Sequence, residues 1–219
     1  MAMTAAAADR GRHVDGRQAR GARTRLAVLE ATISLVTEGV RRPTAEEVAR
    51  RAGVALRTLY HHFAEVDDLR SEAFGLQIDR HVGLLRPIDP TIAVAEQVTV
   101  FVRQLRRLFE AIGPLRRSLL LGELASPDIA ARGRQVAELR RRHLERTFAE
   151  ALQGRPDRRQ LIDALDAATS WWAWEFLRAG RGGPAAAERV IAYSLRGLLA
   201  ASPPKPPSTN GTKRAAVRR

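Results

Sequence analysis

Five side chains able to donate hydrogen bonds, Arg57, Thr58, Tyr60, His61 and His62, fall within the short run from Leu56 to His62. Side chains of that kind on one short helix suit a partner rich in acceptors, such as phosphate oxygens and the edges of base pairs. Bond-breaking chemistry has no support nearby. His61 and His62 are neighbours, and side chains adjacent on a helix diverge by about 100°, so one metal ion cannot take both. The sequence holds no HExxH pair and no cysteine, hence no thiolate metal site and no Cys nucleophile. It also lacks GxGxxG, GxxxxGK[ST] and GxSxG patterns. Asp67, Asp68 and Glu72 read as a solvated helix face. The expectation is therefore a binding protein with no catalytic residues, no metal and no cofactor.

The donors need a scaffold, and residues 44–63, TAEEVARRAGVALRTLYHHF, predict a helix, a tight turn and a second helix. Thr44 and Glu47 have the spacing of a capping box, and Pro43 stops any earlier helix from running through. Val48, Ala49 and Ala52 make a small-sided apolar face against which a second helix can cross closely. Gly53 stands where a helix must end in a left-handed conformation. Val54 fills the angle, while Leu59 and Phe63 give the second helix its buried stripe. A short helix presenting donors after such a turn is built to enter a DNA major groove.

These residues resemble the DNA-binding domain of the tetracycline-repressor-like (TetR) family of transcriptional regulators. The resemblance begins at Thr24-Arg25-Leu26 and follows Leu29, Ile33 and Val36 to Glu38-Gly39. It continues through Thr44-x-x-Glu-Val-Ala, Ala-Gly-Val and Thr-Leu-Tyr-x-His-Phe to Leu69. The remainder of the chain agrees in length and helical character only. The resemblance implies that Leu56, Arg57 and His61 face base edges, with Arg57 able to grip a guanine and Leu56 to pack on a thymine methyl. Thr44, Thr58, Tyr60 and His62 would bind phosphates and fix register. Two positions depart from the family pattern. Ala55 replaces the usual serine cap of the recognition helix, and Val66 stands where a lysine often clamps a phosphate.

Charge agrees with a polyanionic partner: the 219 residues carry a formal net charge of +13. Between Arg10 and Phe63 there are eleven arginines against five acids (Asp15, Glu30, Glu38, Glu46, Glu47), a formal +6. Arg10, Arg12, Arg17, Arg20, Arg23 and Arg25 lead into the first helix. The tail after Ala201 adds Lys205, Lys213, Arg214, Arg218 and Arg219 without an acid, around a stiff SPPKPPS spacer. Low apolar content predicts that residues 1–19 and 201–219 are disordered alone. Residues 20–66 then form the DNA-binding domain and 67–200 a second domain. No signal-peptide core and no membrane-length apolar run is present, which suits a cytoplasmic protein without a membrane partner.

The fold class expected is all-α, with about nine helices and no alternating strand pattern. Residues 67–85 predict a helix ended by Pro87 and Pro90. Val94, Val98, Phe101, Leu105, Leu108 and Ile112 step by three and four through the next. Pro114 is expected to open a further helix with Leu119, Leu120 and Leu121. Ser126-Pro127-Asp128 caps one running to Leu152 and stopping at Gly154. One helix then spans 156–177 and another runs from Pro184 to Ala200.

In the family the last two long helices pair with their copies in a homodimer, and the core of that domain binds a small-molecule effector. Leu161, Leu165, Ala168, Val190, Ile191, Leu195 and Leu198 are the candidate dimer residues. Phe101, Leu105, Phe109, Leu120, Val136, Leu139, His143, Trp171, Trp172 and Phe176 are the candidate pocket residues, although the same spacing describes ordinary core. The function implied is a ligand-responsive regulator, by default a repressor, holding two motifs one DNA turn apart on a palindromic operator. Helix 67–85 would act as the lever between its domains. The competing reading is a basic architectural DNA-binding protein with no effector.

Overall fold

The computed structural model describes residues 2–120 and 127–201, with side chains from Gln18 onward. Among these residues the chain forms ten α-helices and no strand: α1 Ala2–Thr37, α2 Ala45–Ala52, α3 Leu56–His62, α4 Val66–His81, α5 Val94–Leu119, α6 Pro127–Thr147, α7 Ala149–Leu152, α8 Arg158–Ala168, α9 Trp171–Ala179 and α10 Gly183–Ala200. The all-α expectation holds. The tail beyond Ala201, Leu121 and the Ser126 cap lie outside the described residues.

α1, α2 and α3 close on a small core of Val28, Ile33, Val36, Val48, Ala49, Leu59 and Phe63, all buried. Each large side chain fully removed from water there contributes about 1.5–3 kcal/mol. α1 begins at Ala2, where the sequence predicts a disordered arm to residue 19. Ala5 to Ala8 and the arginines are strong helix formers, and no proline interrupts the run. At its other end the helix stops at Thr37, and Gly39 turns the chain at φ 103°.

α4 packs on α1, α5 and α6 and so belongs to both halves of the molecule. Leu69, Ala73, Phe74 and Ile78 are its buried face. It ends at His81 and a short 3-10 turn, Val82–Leu84, finishes the segment expected as one helix to residue 85. α5 is the central helix, meeting α1, α4, α6 and α10.

Two expected boundaries move. α5 runs on through Pro114 to Leu119 instead of restarting there. The proline removes one amide donor to the Glu110 carbonyl, but Ile112, Gly113, Leu115 and Leu119 are buried on either side and hold the helix in line. Conversely, the helix expected over 156–177 is two. Thr169 Oγ1 donates back to the Leu165 carbonyl at 2.8 Å, and Ser170 then caps a new start by accepting from the Ala173 amide at 3.1 Å. The segment expected to run to Leu152 also breaks, at Phe148, into α6 and α7.

Candidate nucleic-acid interface

The helix-turn-helix forms as its spacing requires. Thr44 Oγ1 accepts from the Glu47 amide at 3.2 Å, and the Thr44 amide donates to Glu47 Oε2 at 2.8 Å. Gly53 closes α2 at φ 69°, its amide donating to the Ala49 and Arg50 carbonyls. Leu59 and Phe63 point into the core, leaving Leu56, Arg57, Tyr60 and His61 exposed and Thr58 and His62 half-buried. Thr44 is exposed at the start of α2. The DNA-facing candidates of α3 thus share the solvent side of one helix, and Arg57 has no carboxylate partner among the described residues.

Two buried or half-buried arginines brace the motif: Arg25, which the sequence marks only as part of the basic run and of Thr24-Arg25-Leu26, and Arg70, which it does not single out. Arg25 of α1 donates from Nη1 to the His62 carbonyl at 2.6 Å, pairs with Glu72 of α4, and lies 4.3 Å over the Phe63 ring. One guanidinium therefore ties α1, the end of α3 and α4 together. Arg70 of α4 pairs with Asp67 at 2.7 Å and donates to the Pro43 carbonyl at 3.1 Å, fixing the approach to Thr44. Their signal in the sequence is weak, since an arginine in a basic chain reads as surface charge. Outside this knot, the Arg80 hydrogen bond holds the Glu30 carboxyl below the usual range and joins α4 to α1. A hydrogen bond from Arg51 holds Glu38 down to about 2, with Ser34 adding to it.

The departures from the family pattern have visible consequences. Ala55 sits at the head of α3 at φ −68°, ψ 146°, with no side chain to bond the first turn. Val66 is half-buried against the core, so no cation stands at the start of α4. His61 and His62 have ring centroids 5.5 Å apart at 67°. No group of three or more histidines or acids able to hold a metal occurs among the described residues. Nor is any helix there long and apolar enough to cross a membrane.

The second domain sorts its candidates differently from the sequence. Leu161, Leu165, Ile191 and Leu195 are buried in the protomer's own core, and Ala168 and Leu198 are half-buried against it. Of the dimer candidates only Val190 is exposed; beside it, Tyr193 of α10 is 80% exposed, and α9 presents Trp172 at 60% and Phe176 at 81%. The strongest apolar stripe of a helix faces its own core, and the weaker opposite stripe is what a partner can reach. Trp174, one of three tryptophans within four positions that must diverge and not a site candidate, fills the core with Trp171, both packed on Phe109.

Of the pocket candidates, Val136, Trp171 and Trp172 border one cavity of about 410 Å³ between α5, α6 and the start of α9. Phe101, Leu105 and Phe109 are fully packed, Leu120 and Leu139 border other clefts, and Phe176 faces solvent. His143 is 1% exposed and stacks on Phe101 at 5.0 Å, with Nε2 unpartnered. Burial, and secondarily the charge of Arg146, lower its pKa from 6.5 to about 4.

Comparison with known proteins gives this geometry a lineage. Residues 28–73 match the family described as bacterial regulatory proteins, tetR family. The HTH-type transcriptional regulator AqdR of Rhodococcus erythropolis is 33% identical over 112 residues, 51% of this chain and 51% of that protein. The chain thus spans about half the length of that relative. The solved structure of a transcriptional regulator (RHA1_ro04179) from Rhodococcus sp. Rha1 superposes with a TM-score of 0.61 at 20% identity, covering 82% of this chain and 95% of that one. SCO7518 from Streptomyces coelicolor A3(2) does so with a TM-score of 0.57 at 23% identity, over 81% and 99%. Both share the fold.

Proposed function

We propose that this chain, whose residues 28–73 match the tetR family of bacterial regulatory proteins, is a cytoplasmic transcriptional regulator that reads a palindromic operator as a homodimer under control of a small-molecule effector. The observation that carries the reading is the exposed side of α3. Arg57, Tyr60 and His61 stand free of the core there, while Arg25 holds the end of the helix from behind and Arg70 holds the approach to α2. A donor-bearing helix held this rigidly enters the major groove with little ordering cost. Arg57 then reads a base edge with Leu56 and His61. Thr44, Thr58, Tyr60 and His62 meet phosphates.

The exposed Trp172, Phe176, Val190 and Tyr193 on the neighbouring α9 and α10 support dimerisation, since large apolar and aromatic side chains exposed on adjacent helices mark a surface for a partner. Two copies related by a two-fold axis present two α3 helices to successive turns of one groove face, about 34–36 Å apart. An effector acts by binding one arrangement of the two heads better than the other, a coupling of about 1–3 kcal/mol. α4 is the connection, being packed on both α1 and α6. Displacement of the dimer from an operator that blocks transcription makes the protein a repressor.

The test is a titration of the DNA upstream of its own gene against a scrambled duplex of equal length, at two salt concentrations. Tight binding to the native duplex that keeps its preference at the higher salt supports the reading. Equal binding to both that collapses with salt favours the architectural alternative.

A further inference from the structure

The inner face of α1 changes character where the helix passes the end of α3. From Val28 onward that face is packed against the rest of the protein: Val28, Thr32 and Leu35, stepping by four and three, are all buried. Gly21 continues the same line one heptad earlier, and a Cβ there would stand 3.9 Å from Cε1 of His62, the last residue of α3. One turn later Arg25 donates to the His62 carbonyl. α1 therefore runs alongside the C-terminal end of α3, and about 27 Å of helix lies between Ala2 and Arg20.

Along this line the sequence turns basic before Gly21. Arg17 and Arg10 fall four and eleven positions ahead of it, on the same side of a helix with 3.6 residues per turn, with Val14 between them and His13 and Arg20 bordering them. Residues 2–23 hold five arginines (Arg10, Arg12, Arg17, Arg20 and Arg23) against Asp9 and Asp15, a formal +3. Arg20 is exposed, with no hydrogen bond or ion pair among the described residues. α4, which follows α3 in the chain, opens with Asp67 and Asp68 and no cation. Positive charge beside His62 thus comes from α1. A helix side that carries arginines does not bury itself on an apolar core; the partner it suits is a polyanion.

Resting on the reading of α3 as a major-groove helix, we propose that the stretch of α1 before Gly21 is a second DNA-binding element, lying on the sugar-phosphate backbone outside the groove that α3 enters. With Leu56 and Arg57 at base edges and His62 at a phosphate, the C-terminal end of α3 marks the strand that borders the groove. α1 passes that end, and Arg10 and Arg17 belong to the side of the helix that Gly21 presents to α3. Its length spans at most about eight base pairs at about 3.4 Å each. Contacts of this kind position the protein without reading sequence, and they carry its footprint beyond the half-site. Each phosphate neutralised releases counterions, so the element steepens the dependence of affinity on salt.

Full-length wild type, Arg17→Gln/Arg20→Gln and Arg103→Gln/Arg107→Gln are titrated across salt concentrations with a duplex recovered from a random pool and with random duplex. The last variant removes the same charge from exposed positions of α5 that hold no ion pair among the described residues. All three proteins are expected to share one unfolding temperature. Loss of the α1 pair is expected to lower the slope of log affinity against log salt by about 1.8 for each head bound, on both duplexes, with the preference for the recovered duplex unchanged. Hydroxyl-radical protection of the backbone flanking the half-site is expected to fade in this variant alone. An unchanged slope, an equal change in the α5 variant, or a loss confined to the recovered duplex overturns the assignment. If wild type instead binds both duplexes equally while the α1 variant still shows the lower slope, the element stands and sequence reading by α3 is refuted.

Discussion

Replacing Phe176 with serine separates the face offered to a partner from the stripe that holds the protomer together. The phenyl ring is 81% exposed on α9, with Trp172 one turn before it and Val190 and Tyr193 on the neighbouring α10. Burying such a ring at an interface contributes about 1.5–3 kcal/mol. In a two-fold interface every change occurs twice, so Phe176→Ser is expected to cost the dimer about 3–6 kcal/mol, or roughly 10²–10⁴ in its dissociation constant. The protomer barely notices, because an exposed substitution away from other features moves stability by about 0.5 kcal/mol or less. Leu165→Ala is the counterpart: this leucine is fully buried within the chain, and its truncation is expected to lower folding stability by about 2–5 kcal/mol. Sedimentation across a concentration series reads the first quantity and chemical denaturation of the monomeric variant background reads the second. A Phe176→Ser protein that sediments as a dimer with unchanged dissociation constant refutes the assignment of this face, and with it the division of the stripes.

Three further substitutions follow from single residues. Ala55→Ser restores a side-chain acceptor at the head of α3, where the backbone at φ −68°, ψ 146° already suits a cap. It is expected to add about 0.5–2 kcal/mol, read as a higher melting temperature with DNA affinity maintained. Arg70→Met removes the donor to the Pro43 carbonyl at about 1–3 kcal/mol; amide exchange is expected to quicken first around residues 43–53. His143 is lowered to about 4 from 6.5 by burial, so between those values the unfolded chain takes up a proton that the folded chain refuses. Stability is therefore lost as pH falls from 6.5 towards 4, by on the order of 3 kcal/mol in all. In His143→Leu that part of the decline is expected to vanish; an unchanged pH profile contradicts the assigned burial effect.

How much of this was legible beforehand depends on the range of the interactions. The helix-turn-helix was readable because each of its parts is local: Thr44 and Glu47 satisfy one another, Gly53 needs only its own backbone freedom, and Leu59 and Phe63 lie one turn apart. The break at Thr169 and Ser170 was also local, since serine before a run of large residues is a cap signal, yet the continuous apolar spacing from Leu161 to Phe176 masked it. Pro114 misled for the opposite reason. Proline weakens a helix by local rules, but the burial of Ile112, Leu115 and Leu119 overrides them, and burial is a tertiary fact.

The second domain shows the same limit at the level of faces. Periodicity marks Leu161, Leu165, Ile191 and Leu195 as apolar on one side of their helices. It does not say whether that side meets its own chain or another. Similarly, three tryptophans in four positions had to diverge, but only packing decides that Trp171 and Trp174 turn inward and Trp172 outward. The bracing roles of Arg25 and Arg70 are not legible in the sequence because their partners, the His62 and Pro43 carbonyls, lie 37 and 27 positions away in the chain.

The central claim is that α3 reads DNA sequence through its exposed side, and Arg57→Ala tests it most directly. A bound duplex is first recovered from a random pool, then titrated with wild type and variant across salt concentrations. Losing a base-edge contact is expected to cost about 1–3 kcal/mol per half-site, relaxing preference at one position in each half, while affinity for random duplex stays close to that of the wild type. Equal loss on recovered and random duplexes, or no loss on either, contradicts base reading by α3.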